Sequence, residues 1–527
     1  MGLYLNPSDR DFETSLLSEI YVDKSGIIAY TNKVLNTQQK YVCISRPRRF
    51  GKTMTADMLT DYYIRGYDSS DMFANLKIAN DPSYKKHLNK YNVIFLNMQD
   101  FLSDYHEIEL ILKKITDKIN IDVLEEYPNF DFSNIDNLPG TLQALFRLSK
   151  IPFIFIIDEW DCIFRVHRIN TQAQEIYLDF LRNLLKDRKY VALAYMTGIL
   201  PIKKYGTHST LNMFREFSMT RPREMAEFVG FTQEEVIMLC TKYKMDYEEM
   251  SAWYNGYSFP NLKTVYNPKS VVEALISKEF SDYWSQTETF EALSFYINID
   301  YNGLKDAIIE LLAGAKKQIN INNFANDMIT FKTYEDVLTL LIHLGYLGYD
   351  FEAKEVFIPN KEISEEFVTA IRDAGWEEIK MLIKVSDDLL KATWNEDAQA
   401  VAEAIDKAHT SETSIIKYND ENALSCVLSI AYYSAREYYI IEREQPSGKG
   451  FADLFFRPRK KYLDKPAMLI ELKWDKSAKG AIQQIEDKKY TDILKDYKDN
   501  ALLIGINYDK DSKYHECIIR RYNVECK

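Results

Sequence analysis

YVCISRPRRFGKTM, residues 41–54, begins with five strand-forming residues, passes through an arginine-rich loop, and closes on Gly51-Lys52-Thr53 ahead of the helical pattern TADMLTDYYI. Strand, loop and helix in that order form the setting of a phosphate-binding loop, because the free N–H groups and the positive dipole end of the helix point at the anion. Lys52 would reach the β and γ phosphates and the Thr53 hydroxyl would hold Mg²⁺. The pattern G-x-x-x-x-G-K-[ST] asks for glycine where Arg46 stands. Taken alone, the loop also fits an ordinary helix start.

The downstream sequence alters that balance. FIFIIDEWD (153–161) is an apolar strand ending in Asp158 and Glu159. A carboxylate at a strand tip can hold the water shell of Mg²⁺, and Glu159 beside it can activate the attacking water. The further strand VALAYMTGI (191–199) places Thr197 where a polar side chain would sense the γ-phosphate; a simple turn is the competing reading. Strands are expected at Tyr41–Ser45, Val93–Asn97, Phe153–Ile157 and Val191–Met196. Each is short, nearly all apolar and separated from the next by helical sequence, the mark of buried parallel strands in an α/β sheet.

From about Phe231 the pattern turns helical, opening with the capping sequence Thr232-Gln-Glu-Glu235. TYEDVLTLLIHLGYLGYD (333–350) and FEAKEVFIP (351–359) read as a helix followed by a β-hairpin, a winged-helix-like outline that serves DNA binding or packing. Trp376–Lys407 reads as a helical link. Strands follow at Tyr438–Arg443, Phe451–Arg457, Ala467–Trp474 and Ala501–Asn507, with a helix over Ala478–Lys495. The expected division is 1–230, 231–375, 376–410 and 411–527.

A second constellation lies in that last segment. GKGFADLFF places Asp453 in an apolar strand, and MLIELKW places Glu471 and Lys473 at alternate positions, hence on one face of the next strand. Two carboxylates and a lysine at one spot suit phosphodiester hydrolysis: hard oxygen ligands for Mg²⁺, and a cation to orient water or offset developing charge. Gln484 in AIQQIEDKKY would face the site from the following helix. The spacing by itself is equally that of an exposed hairpin with an incidental ion pair. Of seven histidines only His515 lies in this segment, which argues against a histidine-based zinc nuclease.

RPRRFGKT (46–53), YVDKSGIIAY (21–30), GFTQEEV (230–236), WYNGYSF (253–259), VYNPKSV (265–271) and FIPNKEI (357–363), with GKGFADLFF, MLIELKW and AIQQIEDKKY, resemble the AAA-ATPase-like family fused to a PD-(D/E)XK nuclease domain in many bacteria. The resemblance implies a multidomain α/β protein: an AAA-like P-loop ATPase domain, a helical and winged-helix-like middle, and a restriction-endonuclease-like C-terminal domain. It makes the missing glycine a family trait. Arg46, Arg48 and Arg49 join Gly51, Lys52, Thr53, Asp158 and Thr197 as candidate nucleotide-binding residues, with Thr53 and Asp158 on the metal. Glu159, Asp453, Glu471, Lys473 and Gln484 are the candidate catalytic residues, and Asp453 and Glu471 the candidate metal ligands of the nuclease. The three loop arginines would grip phosphates, face a polyanion, or pair with acidic surface. The sequence does not decide between Glu421 and Glu444 as a further acidic ligand, or among Arg215, Arg221 and Arg223 as an arginine supplied to a neighbouring subunit.

The 527 residues carry a net charge of -13, so nucleic acid, most readily DNA, would have to meet a local basic patch. Six scattered cysteines without a C-x-x-C pair, no leader-like start and no long apolar run give the expectation of a cytoplasmic protein with no membrane partner. ATP and Mg²⁺ are the expected cofactors, with Mn²⁺ an alternative at the nuclease site; a homo-oligomer is left open. Two functions fit: an ATP-controlled nuclease, or a nucleotide-dependent switch whose C-terminal domain binds without cutting.

Overall fold

A computed structural model describes residues 2–7, 10–132, 135, 137–202, 211–260, 262–284, 290–299, 301–326, 328–409, 421–447, 450–487, 490–497 and 500–522. The chain forms two compact units: Met1–Trp284 with Gln318–Ile363, and Ser285–Lys317 with Ser364–Lys527.

The first unit is built on five strands: β1 (Tyr41–Ser45), β2 (Asn92–Asn97), β3 (Phe153–Asp158), β4 (Val191–Gly198) and β5 (Arg215–Phe217). They lie in the order β2-β3-β4-β1-β5, every pair parallel. β1, β3 and β4 are buried at every residue, which is why their sequences run apolar without alternation. The order sets β4 between the strand feeding the loop and the strand ending in Asp158, so the C-terminal tips of β1, β4 and β3 stand side by side. β5 pairs with Val42–Ile44 through only three residues, two of them charged, and so has no apolar run to announce it.

Around this sheet, Thr232 and Glu235 form the expected capping box of the helix Gln233–Tyr243. Trp253, Tyr254 and Tyr257 are buried, and the Tyr257 ring meets Phe50 of the arginine-rich loop edge-on at 5.4 Å. The helix Tyr334–Leu344 and the hairpin Gly348–Asp350 with Glu355–Phe357 reproduce the helix-then-hairpin outline. The helix stops at Gly345, whose φ of 90° suits glycine; a side chain there would also collide with Pro47 at 2.8 Å.

In the second unit five strands run in sequential order: β6 (Tyr439–Ser447), β7 (Gly450–Pro458), β8 (Ala467–Trp474), β9 (Ala501–Asp509) and β10 (Tyr514–Arg521). All pairs are antiparallel except β8 with β9, which are parallel and joined by the helix Ala478–Asp487. That helix was expected to reach Lys495; it ends at Asp487, and a 3₁₀ segment covers Tyr490–Tyr497. Helices Glu377–Trp394 and Ala398–His409 pack on each other, on the helix Glu421–Ala431 and, for the second, on β10.

Candidate functional site

The loop after β1 turns through two left-handed residues, Arg49 (φ 68°) and Gly51 (φ 86°), before the helix Lys52–Tyr63 begins. Nothing lies within 4 Å of a side chain built at Gly51, so its glycine answers to backbone conformation alone. Lys52 is 5% exposed; its Nζ donates to Pro47 O at 3.1 Å and stands 3.9 Å from Glu159 Oε1. Burial pushes the Lys52 ammonium below its usual pKa, against the pull of Glu159, Asp158 and Asp161.

Asp158, fully buried at the tip of β3, gathers the neighbouring tips. Thr53 Oγ1 donates to its Oδ2 at 2.6 Å, the Glu159 N–H donates to Oδ1 at 3.0 Å, and Thr197 Oγ1 on β4 also donates to Oδ1. Thr53, Asp158 and Thr197 are thus one hydrogen-bonded group. Glu159 holds a left-handed backbone (φ 51°) and forms an ion pair with Arg165. Strain of this kind in a non-glycine residue is concentrated at functional sites.

Two residues of this cluster carry no signal that the loop pattern looks for. Asp161, fully buried, accepts from the N–H groups of Ile199 (3.1 Å) and Leu200 (2.7 Å) just past β4, and sits 3.6 Å from Arg165 Nε. It ties the end of β4 to the turn after β3, while Arg165 spans Asp161 and Glu159. Burial raises the Asp161 pKa, opposed by Arg165. The clue to Asp161 was its place in the same short stretch, Asp158-Glu-Trp-Asp161.

The three arginines diverge. Arg46 is fully buried, and its Nη1 donates to Ser45 O (3.0 Å) and Phe217 O (3.1 Å). Arg49 Nη1 donates to Tyr283 O at 2.5 Å. The N–H of that same Tyr283 donates to the buried Glu362 at 2.9 Å, and Glu362 also accepts from Ser270 Oγ at 3.0 Å. Arg48 is half-buried. From Gly51 and Thr55 a cavity of about 360 Å³ extends between Val22, Met54, Met58, Phe231 and Val272.

In the second unit, Glu471 and Lys473 share one face of β8, with Lys473 Nζ 3.2 Å from Glu471 Oε1. Gln484 Nε2, reaching from the helix Ala478–Asp487, donates to the same oxygen. Asp453, one strand over, accepts from the Leu472 N–H at 2.7 Å. Glu471 and Lys473 are 1% and 7% exposed, so the sheet encloses this group. The side chains of Glu421 and Glu444 lie outside the described residues. Among the described residues no group of three or more His, Cys, Asp or Glu converges as a ready metal cage. The oxygens of Thr53 and Asp158, and of Asp453 and Glu471, form sets without thiolate or imidazole, and such sets fit a hard divalent cation.

Residues 11–208 match the family model described as "Predicted AAA-ATPase", and residues 419–516 match that of the PD-(D/E)XK nuclease superfamily. An Azotobacter chroococcum mcd 1 protein, "Uncharacterized protein in vnfD 5'region", is 24% identical over 280 residues, covering 51% of this chain and 51% of its own length. The chain therefore spans about half the length of the curated relative it matches. Among solved structures, the Aeropyrum pernix ORC2 protein (ADPNP-ADP complexes) aligns over 69% of this chain and 98% of its own at 12% identity, TM-score 0.29. AMPPCP-bound DnaA from Aquifex aeolicus aligns over 79% and 95% at 12% identity, TM-score 0.25. At such scores the fold assignment rests on the strand order and on the two family matches.

Proposed function

We propose that this chain, which joins an AAA-ATPase-like region to a PD-(D/E)XK nuclease-like region, binds and hydrolyses ATP and thereby controls metal-dependent cleavage of nucleic acid, most readily DNA. The observation that carries the first half is the convergence of Thr53, Asp158 and Thr197 beside Lys52 at the tips of β1, β3 and β4. Lys52 exchanges the Pro47 carbonyl for β and γ phosphate oxygens, and Thr53 and Asp158 are the residues that would hold Mg²⁺. Glu159 accepts the proton of the attacking water, and Thr197 keeps Asp158 oriented. The apolar cavity beyond Gly51 and Thr55 is of a size that takes a nucleobase.

In the nuclease-like region Asp453 and Glu471 would hold a Mg²⁺ or Mn²⁺. A divalent cation at either site lowers the pKa of its water and neutralises phosphate charge. Lys473 offsets charge developing on the scissile phosphate, and Gln484 fixes the rotamer of Glu471. The five described cysteines are free thiols, in keeping with a reducing cytoplasm, and no described helix is long and apolar enough to cross a membrane. We retain the division at about residues 230, 375 and 410 as part of this proposal. A homo-oligomer and one of Arg215, Arg221 or Arg223 acting between subunits also belong to it.

The test is cleavage of labelled single-stranded, duplex and branched DNA by the full chain with Mg²⁺ or Mn²⁺, with and without ATP. Lys52→Ala should abolish nucleotide binding, and Asp453→Ala should abolish cleavage while ATP binding persists. Cleavage that survives Asp453→Ala would exclude the assigned site. ATP binding without cleavage of any substrate would favour a nucleotide-dependent switch.

A further inference from the structure

Arg46 buries a charge that the described residues compensate only in part. It is 0% exposed, and only Nη1 is engaged, with the Ser45 and Phe217 carbonyls. Among the described residues Nε and Nη2 have no hydrogen-bond partner and no carboxylate pairs with the guanidinium. The guanidinium carbon lies 5.1 Å from the centre of the Phe259 ring. Two carbonyl dipoles and one ring face offset only part of the cost of burying a cation. Burial pulls its pKa down to about 10. Replacing it with an apolar side chain would be expected to relieve that cost, so a purely structural role does not account for it.

Position supplies the missing element. Arg46 is the first residue of the loop that ends in Gly51-Lys52-Thr53, directly after the buried strand β1. Its hydrogen bonds turn the guanidinium toward the strand ends Ser45 and Phe217. We propose that Arg46 is a charge anchor for the nucleotide: it attracts the phosphates from beneath the loop, through low-dielectric protein, without touching them. The proposal rests on the reading that this loop binds nucleotide. A buried charge acts over distance far more strongly than a surface one and is little screened by salt. Its contribution must therefore grow with the negative charge of the ligand and be indifferent to the base.

Binding of ATP, ADP, AMP and inorganic tripolyphosphate to the full chain, by calorimetry and by the shift in melting temperature, tests this. Arg46→Gln removes the charge but keeps an amide donor for the two carbonyls; Arg46→Lys keeps the charge but loses the planar fork. The Gln variant should bind ATP and tripolyphosphate about tenfold more weakly, with a smaller loss for AMP, while the Lys variant stays within about threefold of wild type. Arg46→Met, which removes both charge and donor, replaces the Gln variant if that one does not fold. Equal losses in the neutral and Lys variants would make Arg46 a mere brace and overturn the proposal, as would a neutral variant that binds ATP like wild type. Wild-type protein that binds no nucleotide would instead overturn the reading of the loop.

Discussion

Asp158 receives three hydrogen bonds, from Thr53, Thr197 and its own neighbour's N–H, and each constrains one oxygen. If Glu159 is the base, Glu159→Gln should leave ATP binding intact and lower the hydrolysis rate by about 10²–10⁴, the usual worth of a positioned base. A fall in affinity matching the fall in rate would make Glu159 a binding residue instead. Thr197→Val removes one donor from Asp158 and should lower kcat by about tenfold with KM nearly unchanged, as expected for loss of one hydrogen bond to a charged group. Gly198, next along β4, is held for lack of space: a methyl there would stand 2.6 Å from Asp161 Oδ1 and 2.8 Å from the Trp160 ring. Gly198→Ala should destabilise the first unit by about 1–3 kcal/mol in denaturant titration and slow hydrolysis as well, since Trp160 and Asp161 adjoin Glu159.

At the scale of elements, the helix that begins at Lys361 brings Glu362 into a dry position, with Tyr283 N–H and Ser270 as its hydrogen-bond donors. Burial pushes its carboxyl up to about 8 from the usual 4.5. The folded chain then keeps a proton that the unfolded chain releases, so this stabilisation is complete below about pH 4.5 and is lost as pH rises toward 8. Melting temperatures of wild type and Glu362→Gln should diverge over that interval, with wild type falling more steeply; parallel curves would contradict the assignment.

Much at this scale was legible. β1 and β8 have the expected limits, and β2, β3, β4, β6, β7 and β9 differ by a few residues at their ends; buried parallel or central strands write themselves as apolar runs, whereas β6 is an edge strand with only a short apolar start, Tyr439-Ile-Ile. β5 and β10 escaped, the first for its brevity, the second because its apolar run, Cys517–Ile519, is only three residues long and is flanked by Glu516, Arg520 and Arg521 at a sheet edge. The alternation in Glu471-Leu-Lys473 gave the pairing on one face, and Asp158 could be placed at a strand tip. What no local pattern encodes is a side chain's direction within a loop: Arg46, Arg48 and Arg49 read as three equivalent cations and take different surroundings. The Asp161 bonds to Ile199 and Leu200 likewise join residues 38 and 39 positions apart.

For the whole molecule, the second unit is discontinuous, and named contacts hold its two pieces together. Trp376 Nε1 donates to Asn298 Oδ1 at 3.1 Å, the Lys305 ammonium lies 5.0 Å from the Trp376 ring centre, and Arg436 donates to Leu312 O. A fragment beginning at Ser364 leaves the half-buried Arg436 short of an acceptor and uncovers Trp376. It should melt below the corresponding transition of the full chain or fail to stay soluble, and adding residues 285–317 as a peptide should recover part of the loss. A fragment as stable as the intact chain would mean that the segment is dispensable.

The path of the chain bears on inheritance as well as on folding. It leaves the first unit at Trp284, returns at Gln318 and leaves again at Ile363. A single recombination breakpoint in the gene therefore cannot exchange one C-terminal domain for another without stranding either Ser285–Lys317 or Gln318–Ile363 with a foreign counterpart. Any lineage that trades its nuclease-like part must carry the interleaved stretch along with it or rebuild the packing around Trp376 and Arg436, so the two units are expected to descend together.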